Sequence, residues 1–510
     1  MIAHDLPAGR HFALTWGIAT PYGGMTTALL ERSRMFAEAG TPVDVLTLDP
    51  RPAALGPEFA ELAAAGVRVR NLYDGARSGD IPPSSNARPA PAPLRDGIDG
   101  VVTDEVDGVA VRRVRLGDDG RPIDIDHLRA DGSIALSERR PAAGGRLLVA
   151  IDPMGSPVRS WRRRYDLYGD WLDSLVGDDE AFVIVDSKTV APFAADYRRP
   201  RVTVVHVVHG SHRGPTPGSV RASRQPVFAR LDDFDAVAFA TDAQRRDVRA
   251  LVGSRPLLTA VAHPVAPVPA TALPAESDRT SAVVIARLEP IKRVDHAVDA
   301  VMRLHRDASP AMRLDVYGTG SRADELAARA AGDPAIRFHG HTDDPAGALT
   351  AASVLLLTSR SEAFGLVLVE AMAAGCLPIA YDIAYGPADL IRHGENGWLV
   401  PDGDVDALAE AVRAAEQLSP ERRAAMRARA RATAAEYSTD RIRRRWASVL
   451  RTAQRRRRLQ RRTRPLLREA GRAVRAVLRR ARAVVRRGRA VVRRGRAVVR
   501  RGRAVVRRAR

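Results

Sequence analysis

A chain of 510 residues, 45% hydrophobic and 28% charged, exceeds what one ordinary core encloses and describes a globular protein of two or three domains. The formal charge of +21 belongs to one end: residues 451–510 hold 26 of the 81 basic residues and, in Glu469, one of the 60 acidic ones, which leaves −4 on the first 450. No apolar run approaches the roughly 18 residues of a membrane span, and the opening MIAHDLPAGR lacks the charged and apolar regions of a signal peptide, so the expected compartment is the cytoplasm.

From Phe12 the chain reads strand (FALTWGI), glycine loop (PYGG), helix (MTTALLERSRMFAEAG) and strand (PVDVLTL), a β-α-β unit. Apolar strands return at AFVIVDS, VTVVHVVHG and DAVAFAT, and their unbroken hydrophobicity suits a sheet covered on both faces. Between them, about 75–165, a Pro/Ser/Ala stretch leads to polar strands punctuated by VDG, DDG and ADG, which predicts an inserted antiparallel meander. The passage AHPVAPVPATALPAESD reads as a linker. A second alternating series follows through SAVVIAR, RLDVYG, IRFHG, SVLLLTS and LPIAYD. Two doubly wound α/β domains facing a cleft are expected, 1–265 and 281–430, with ligands at the carboxyl ends of the strands. Cys376, the one cysteine, falls between a helical and a strand signal, where a small core residue fits.

The stretch SRSEAFGLVLVEAMAAGCLP puts Glu362 before a Phe-Gly pair and Glu370 eight residues on, in what reads as an amphipathic helix. On one helix the two carboxylates would stand about 12 Å apart. A glycosidase pair flanks one bond at about 5–9.5 Å, so this spacing better suits two ends of a long ligand. Phe364, Gly365 and Leu366 mark the helix start, where free backbone N–H groups can hold an anion or a hydroxyl. Asp124 and Asp126 in DID share one face of a predicted strand in the insert; a metal could bridge them, and a solvated strand face is the expected role.

The Glu, seven residues, Glu pattern resembles the signature of retaining nucleotide-sugar glycosyltransferases of family four, which have the GT-B fold. The resemblance implies that Glu362 contacts the donor sugar and Glu370 the ribose hydroxyls. It implies further that Arg287 and Lys292 of ARLEPIKR bind the diphosphate, whose negative charge grows as the sugar leaves. Gly23 and Gly24 of PYGGMTT would let backbone approach the phosphates, and His209 at the end of VVHG would reach the sugar. Gly320 of VYGTG and His341 of FHGH would lie near the nucleotide or serve only as turn residues, whereas His206 is expected in the core and His212 in either role. The wording YDIAYGP, the GGMT loop and the insert are similar to the bacterial poly(glycerol-phosphate) α-glucosyltransferase group, whose relatives glycosylate teichoic-acid polymers or serine-rich proteins and use the insert as an acceptor or oligomer platform. Transfer of glucose from UDP-glucose to an envelope polyol phosphate is thus implied, with no metal or other cofactor. Protein Ser/Thr, a lipid-linked sugar or a small molecule is the alternative acceptor, and an inactive polyanion-binding protein the alternative role.

Residues 431–453 resemble the helix that closes this fold by crossing back to the first domain. In the tail, 454–510, RAVVRRG recurs at Arg482, Arg489 and Arg496 and RAVVRRA follows at Arg503, stacking valines on one helical stripe. Glycines at 488, 495 and 502 and the dense charge oppose helix in solution, so folding on a polyanion is expected. An anionic membrane surface is the favoured partner, ahead of a phosphate-rich polymer; without aromatic residues for base stacking, nucleic acid is disfavoured.

Overall fold

The computed structural model describes residues 6–18, 23–51, 58–81, 88–94, 100–140, 145–253, 256–266, 268–269, 281–306 and 312–461. Compactness divides the chain after Ala453. The unit up to that point holds three sheets.

The first sheet begins with β1 (Arg10–Thr15), β2 (Val43–Thr47) and β3 (Val67–Asn71). The chain then leaves it for a second sheet, β4 (Val101–Val106), β5 (Val109–Leu116), β6 (Pro122–Leu128), β7 (Ile134–Arg139), β8 (Leu147–Ile151) and β9 (Pro157–Trp161). It returns with β10 (Ala181–Val185), β11 (Val202–Val208), β12 (Ala236–Phe239) and β13 (Leu258–Ala260). The resulting order, β13-β12-β11-β10-β1-β2-β3, is parallel throughout. β10 and β11 are buried along their whole length, as strands covered by helices on both faces must be.

The third sheet is also parallel, β16-β15-β14-β17-β18-β19, from β14 (Ser281–Ile285), β15 (Arg313–Tyr317), β16 (Ile336–Gly340), β17 (Val354–Leu357), β18 (Leu377–Tyr381) and β19 (Trp398–Val400). Two doubly wound sheets with an inserted meander constitute the GT-B architecture. In the meander each strand pairs antiparallel with the next. Its first turn, Asp107 and Gly108 with φ of 51° and 76°, is the two-residue Asp-Gly hairpin that the sequence signals.

The solvated face expected for DID is not what forms. Asp124 and Asp126 are buried within the meander: Asp124 pairs with Arg115, while Asp126 accepts from the Leu94 amide at 2.7 Å and pairs with Arg139 at 2.8 Å. Arginines of neighbouring strands compensate these charges. Part of the insert's charge thus lies in its interior. Glu138, wholly buried, is surrounded by His127, Arg146 and Arg164, and its carboxyl is held down to about 2 by those partners against the opposing effect of burial.

One continuous apolar core joins the first and third sheets, from Leu29, Phe36 and Val205 through Val261 to Val284, Met372 and Trp446. Cys376 is within it. A second cluster, including Phe12, Tyr73, Leu136, Trp161 and Phe193, fills the space on the meander side of the first sheet. The helical segment 439–453 buries Ile442, Trp446, Leu450 and Ala453 on one face. Trp446 meets the ring of Phe36 edge-on at 6.3 Å and lies under the guanidinium of Arg32 at 5.3 Å, both on the helix Gly24–Glu38. Beside it, the Val265 amide donates to the Tyr437 carbonyl at 3.0 Å.

Residues 454–461 are helical, and the RAVVRRG repeats lie outside the described residues. Among the described residues no helix is long and apolar enough to cross a membrane.

Replacing the buried Trp446 with alanine removes an aromatic anchor between the closing helix and the first domain. The unfolding free energy in urea is expected to fall by about 3–5 kcal/mol.

Candidate functional site

Loops after β14, β15 and β17 meet at the carboxyl edge of the third sheet. The β14 loop ends in a tight turn, Pro290–Lys292. Lys292 Nζ stands 2.6 Å from Glu362 Oε1, both side chains being mostly buried. The Arg360 amide donates to the Ile291 carbonyl at 2.8 Å, and Thr358 Oγ1 donates to the Lys292 carbonyl at 2.9 Å. In the β15 loop, the Thr319 carbonyl accepts from the Leu288 amide at 2.8 Å. A Cβ on Gly320 would collide with the Leu288 backbone, so this glycine is what lets the β14 and β15 loops touch. Its place is therefore explained by backbone approach alone.

Arg287 faces the other domain. A Cβ built on Gly23 would lie 3.8 Å from Arg287 Nε, whereas one on Gly24 would meet nothing within 4 Å. The glycine loop and the cation are thus neighbours across the cleft. Gly23 is the N-cap of the helix Gly24–Glu38, and the Thr26 amide bonds back to its carbonyl at 2.9 Å. The amides ahead of Thr26 at this helix start have no carbonyl a turn earlier and can meet an anion.

The helix of the two-glutamate motif differs from its sequence reading. It runs Leu366–Ala373, and Gly365 caps it in the left-handed conformation with φ 78°. Glu362 precedes it in a loop, so the helical rise does not set the distance between the two glutamates. Nor is the helix amphipathic, since Leu368, Val369, Ala371, Met372 and Ala373 are all buried. Phe364 is buried too, edge-on to His263 at 5.7 Å and tilted on Tyr437 at 5.3 Å. What it offers a ligand is its backbone. Leu366 opens the helix and is partly buried.

Glu370 keeps only a little exposed surface, and burial pushes its carboxyl up to about 7, with Glu31 adding repulsion. Glu31 belongs to the helix Gly24–Glu38 and is itself raised, chiefly by burial. Two carboxylates from opposite domains therefore share one cleft. Such a place favours a hydroxyl-bearing ligand that can accept and donate hydrogen bonds.

His209 extends from β11, and its Nε2 lies 2.8 Å from Asp186 Oδ1 at the end of β10. Asp186 is fully buried and held bidentately by Arg32 at 2.7 and 2.8 Å. Despite its burial, the Arg32 and His209 partners keep its carboxyl well below the usual range. His263 stacks on His209 at 5.7 Å, and burial lowers it to about 3, so it is neutral at ordinary pH. The sequence reading missed Arg32, Asp186 and His263. A usable signal existed for Asp186 alone, a charge closing the apolar strand AFVIVDS beside the strand that carries His209.

His206 accepts its place in the core, with Nδ1 2.9 Å from the Val185 carbonyl, and burial lowers it to about 4. His212 is buried between Phe228 and Tyr385, at 5.5 and 5.8 Å. Tyr385, from the YDIAYGP loop, donates to Asp247 at 2.7 Å and accepts from Arg213 Nε at 2.9 Å, clasping the two domains. His341 stands apart from these groups, with 61% of its side chain exposed beside Asp343.

The arrangement pairs fixed cations with two helix starts and lines the opposite wall with a histidine and carboxylates. It can bind a diphosphate at one end and hydroxyls at the other. Residues 271–433 match a family model described as glycosyl transferases group 1. Among curated proteins, the chain is 26% identical over 250 residues to poly(glycerol-phosphate) alpha-glucosyltransferase of Bacillus subtilis, covering 48% of this chain and 37% of that one. It is 28% identical over 315 residues to the GtfA subunit of the UDP-N-acetylglucosamine--peptide N-acetylglucosaminyltransferase of Streptococcus gordonii, covering 58% and 61%. Both matches span less than two thirds of the relative's length. Among solved structures, S. aureus TarM in complex with Fondaparinux, alpha-GlcNAc-glycerol and UDP has a TM-score of 0.65 at 19% identity, covering 87% of this chain and 100% of that one. Pneumococcal GtfA in complex with UDP and GlcNAc has a TM-score of 0.63 at 20% identity, covering 87% and 99%.

Because Glu370 holds its proton more tightly folded than unfolded, its charge opposes folding as pH rises from about 4.5 to about 7. Glu370→Gln is expected to gain about 2 kcal/mol of stability at pH 8, shrinking to nothing below pH 4.5. Chemical denaturation at the two pH values measures it.

Proposed function

From a chain whose residues 271–433 belong to the glycosyl transferases group 1 family and whose sheets build the GT-B fold, we propose a retaining hexosyltransferase that uses a nucleotide sugar. The observation that carries this reading is the Lys292–Glu362 pair at the carboxyl edge of the third sheet, with Arg287 facing the Gly23 loop. Arg287 and Lys292 would receive the diphosphate, and their fixed charge would stabilise it as the sugar-oxygen bond breaks. Glu362 would exchange its lysine for the donor's hydroxyls, and Glu370 would accept from the ribose. His209, held by Asp186, would lie on the acceptor side of the sugar. The acceptor hydroxyl would attack from the face the diphosphate leaves, passing its proton to the departing phosphate, without an enzyme nucleophile.

The proposed donor is UDP-glucose and the proposed acceptor a poly(glycerol phosphate) of the cell envelope. The kinship with the B. subtilis enzyme supports the acceptor, and UDP in the TarM and GtfA complexes supports the base. A protein Ser/Thr acceptor is the second reading, favoured by the likeness to GtfA over 58% of this chain. The meander is the proposed platform for acceptor or self-association, its outer strand β4 exposing Val102.

The arginine-rich tail, 454–510, would hold the enzyme at the inner face of the cell membrane. Each basic residue near an anionic surface contributes about 1 kcal/mol. A chain ending at Arg451 is expected to keep donor turnover and to lose sedimentation with anionic vesicles; equal sedimentation would overturn the membrane reading.

Hydrolysis of UDP-glucose, UDP-N-acetylglucosamine and GDP-mannose, with and without poly(glycerol phosphate), tests the reaction. One donor should be turned over, faster with polymer. Lys292→Ala should lower that turnover by about 10²–10³-fold. Unchanged turnover would remove Lys292 from the mechanism.

A further inference from the structure

Two described residues other than glycine have positive φ, and one of them, Asp107, sits in a hairpin turn. The other is Arg293, at φ 47° and ψ 46°, directly after Lys292. A long side chain in the left-handed region is strained, and a glycine would hold the same backbone without cost. Such strain persists where surrounding contacts over-determine the conformation.

Those contacts are specific. The Arg293 guanidinium is buried, donating from Nε to the Thr358 carbonyl at 2.9 Å and from Nη2 to the Ser359 carbonyl at 3.1 Å. It also pairs with Asp402 and lies 4.8 Å over the ring of Tyr381. Thr358 and Ser359 follow the end of β17 and lead into the loop that carries Glu362. One side chain therefore ties the backbone next to Lys292 to the backbone leading to Glu362. The tie has a planar fork, and a lysine in its place could not reach both carbonyls together.

Resting on the proposed nucleotide-sugar reading, we propose that Arg293 is a positioning residue that fixes the Lys292 and Glu362 loops against each other. It sets where the lysine charge stands when the diphosphate departs. Displacing such a charge by about 1 Å can lower the rate about 10²-fold while leaving most donor contacts in place.

The experiment compares the parent protein with Arg293→Gly, which keeps the left-handed backbone free of strain and cuts the tie, and Arg293→Lys, which keeps the charge and cuts the fork. Two readouts are taken on each: kcat and KM for the donor that the parent turns over, and hydrogen exchange of peptides covering 286–296 and 357–365. Both variants are expected to lose about 10–100-fold in kcat with KM within about threefold, and to exchange faster in those two segments. Full kcat in Arg293→Lys would make the residue a charge and overturn the positioning role. Parental exchange in both variants would overturn it as well. Should Arg293→Gly fail to fold, Arg293→Lys decides by the same readouts. A parent that turns over no nucleotide sugar would sink the functional reading, and the exchange comparison would still decide whether Arg293 ties the loops.

Discussion

The buried pair of Arg32 and Asp186 is the interaction on which the first domain's half of the cleft depends. Two hydrogen bonds at 2.7 and 2.8 Å join the helix Gly24–Glu38 to the end of β10 in a fully desolvated place. A pair of this kind adds little net stability over an apolar filling, yet losing one partner leaves a buried charge, at about 3–5 kcal/mol. Its effect is therefore to exclude other arrangements. Asp186 orients His209 with the same oxygen that Arg32 Nη1 engages, and Arg32 lies over Trp446 of the closing segment. Helix register, histidine orientation and the return of the chain from the second domain are coupled through one guanidinium.

The third sheet's half of the cleft works by compensation. Lys292 and Glu362 neutralise each other at 2.6 Å, so neither charge faces the cleft alone. Burial raises Glu370, with repulsion from Glu31 added, and burial raises Glu31 against the pull of Arg34 at 3.8 Å. The cleft thus holds a compensated end and a proton-retaining end, in keeping with a ligand that is anionic at its centre and hydroxylated at its extremities.

Beside the shared apolar core, the domains are joined by ring contacts and polar clasps. Phe364 touches His263 and Tyr437, and Tyr385 bridges Arg213 and Asp247. These contacts draw on the same motifs that line the site. Binding and domain closure are therefore expected to be coupled, because a shift in the Phe364 to Tyr385 segment moves both.

The alternation of apolar strands with helical segments determined the two doubly wound domains, since burial on both faces demands continuous hydrophobic runs. Asp-Gly turns determined the meander by their left-handed preference. The family resemblance carried by Arg287, Lys292, Glu362 and Glu370 pointed to strand ends as the candidate site. Short edge strands escaped that reading: β3, VRVRN, alternates apolar and basic residues over only four positions, and β19 is three residues long. Only tertiary structure decided that Glu362 lies outside the helix, that Asp124 and Asp126 are inside the meander, and that Asp186 stands between Arg32 and His209. Those outcomes depend on partners that folding brings together, nine residues apart for Arg115 and Asp124 and 154 apart for Arg32 and Asp186. Local pattern records what a segment prefers; whether a charge faces water or an arginine is settled by what folds against it.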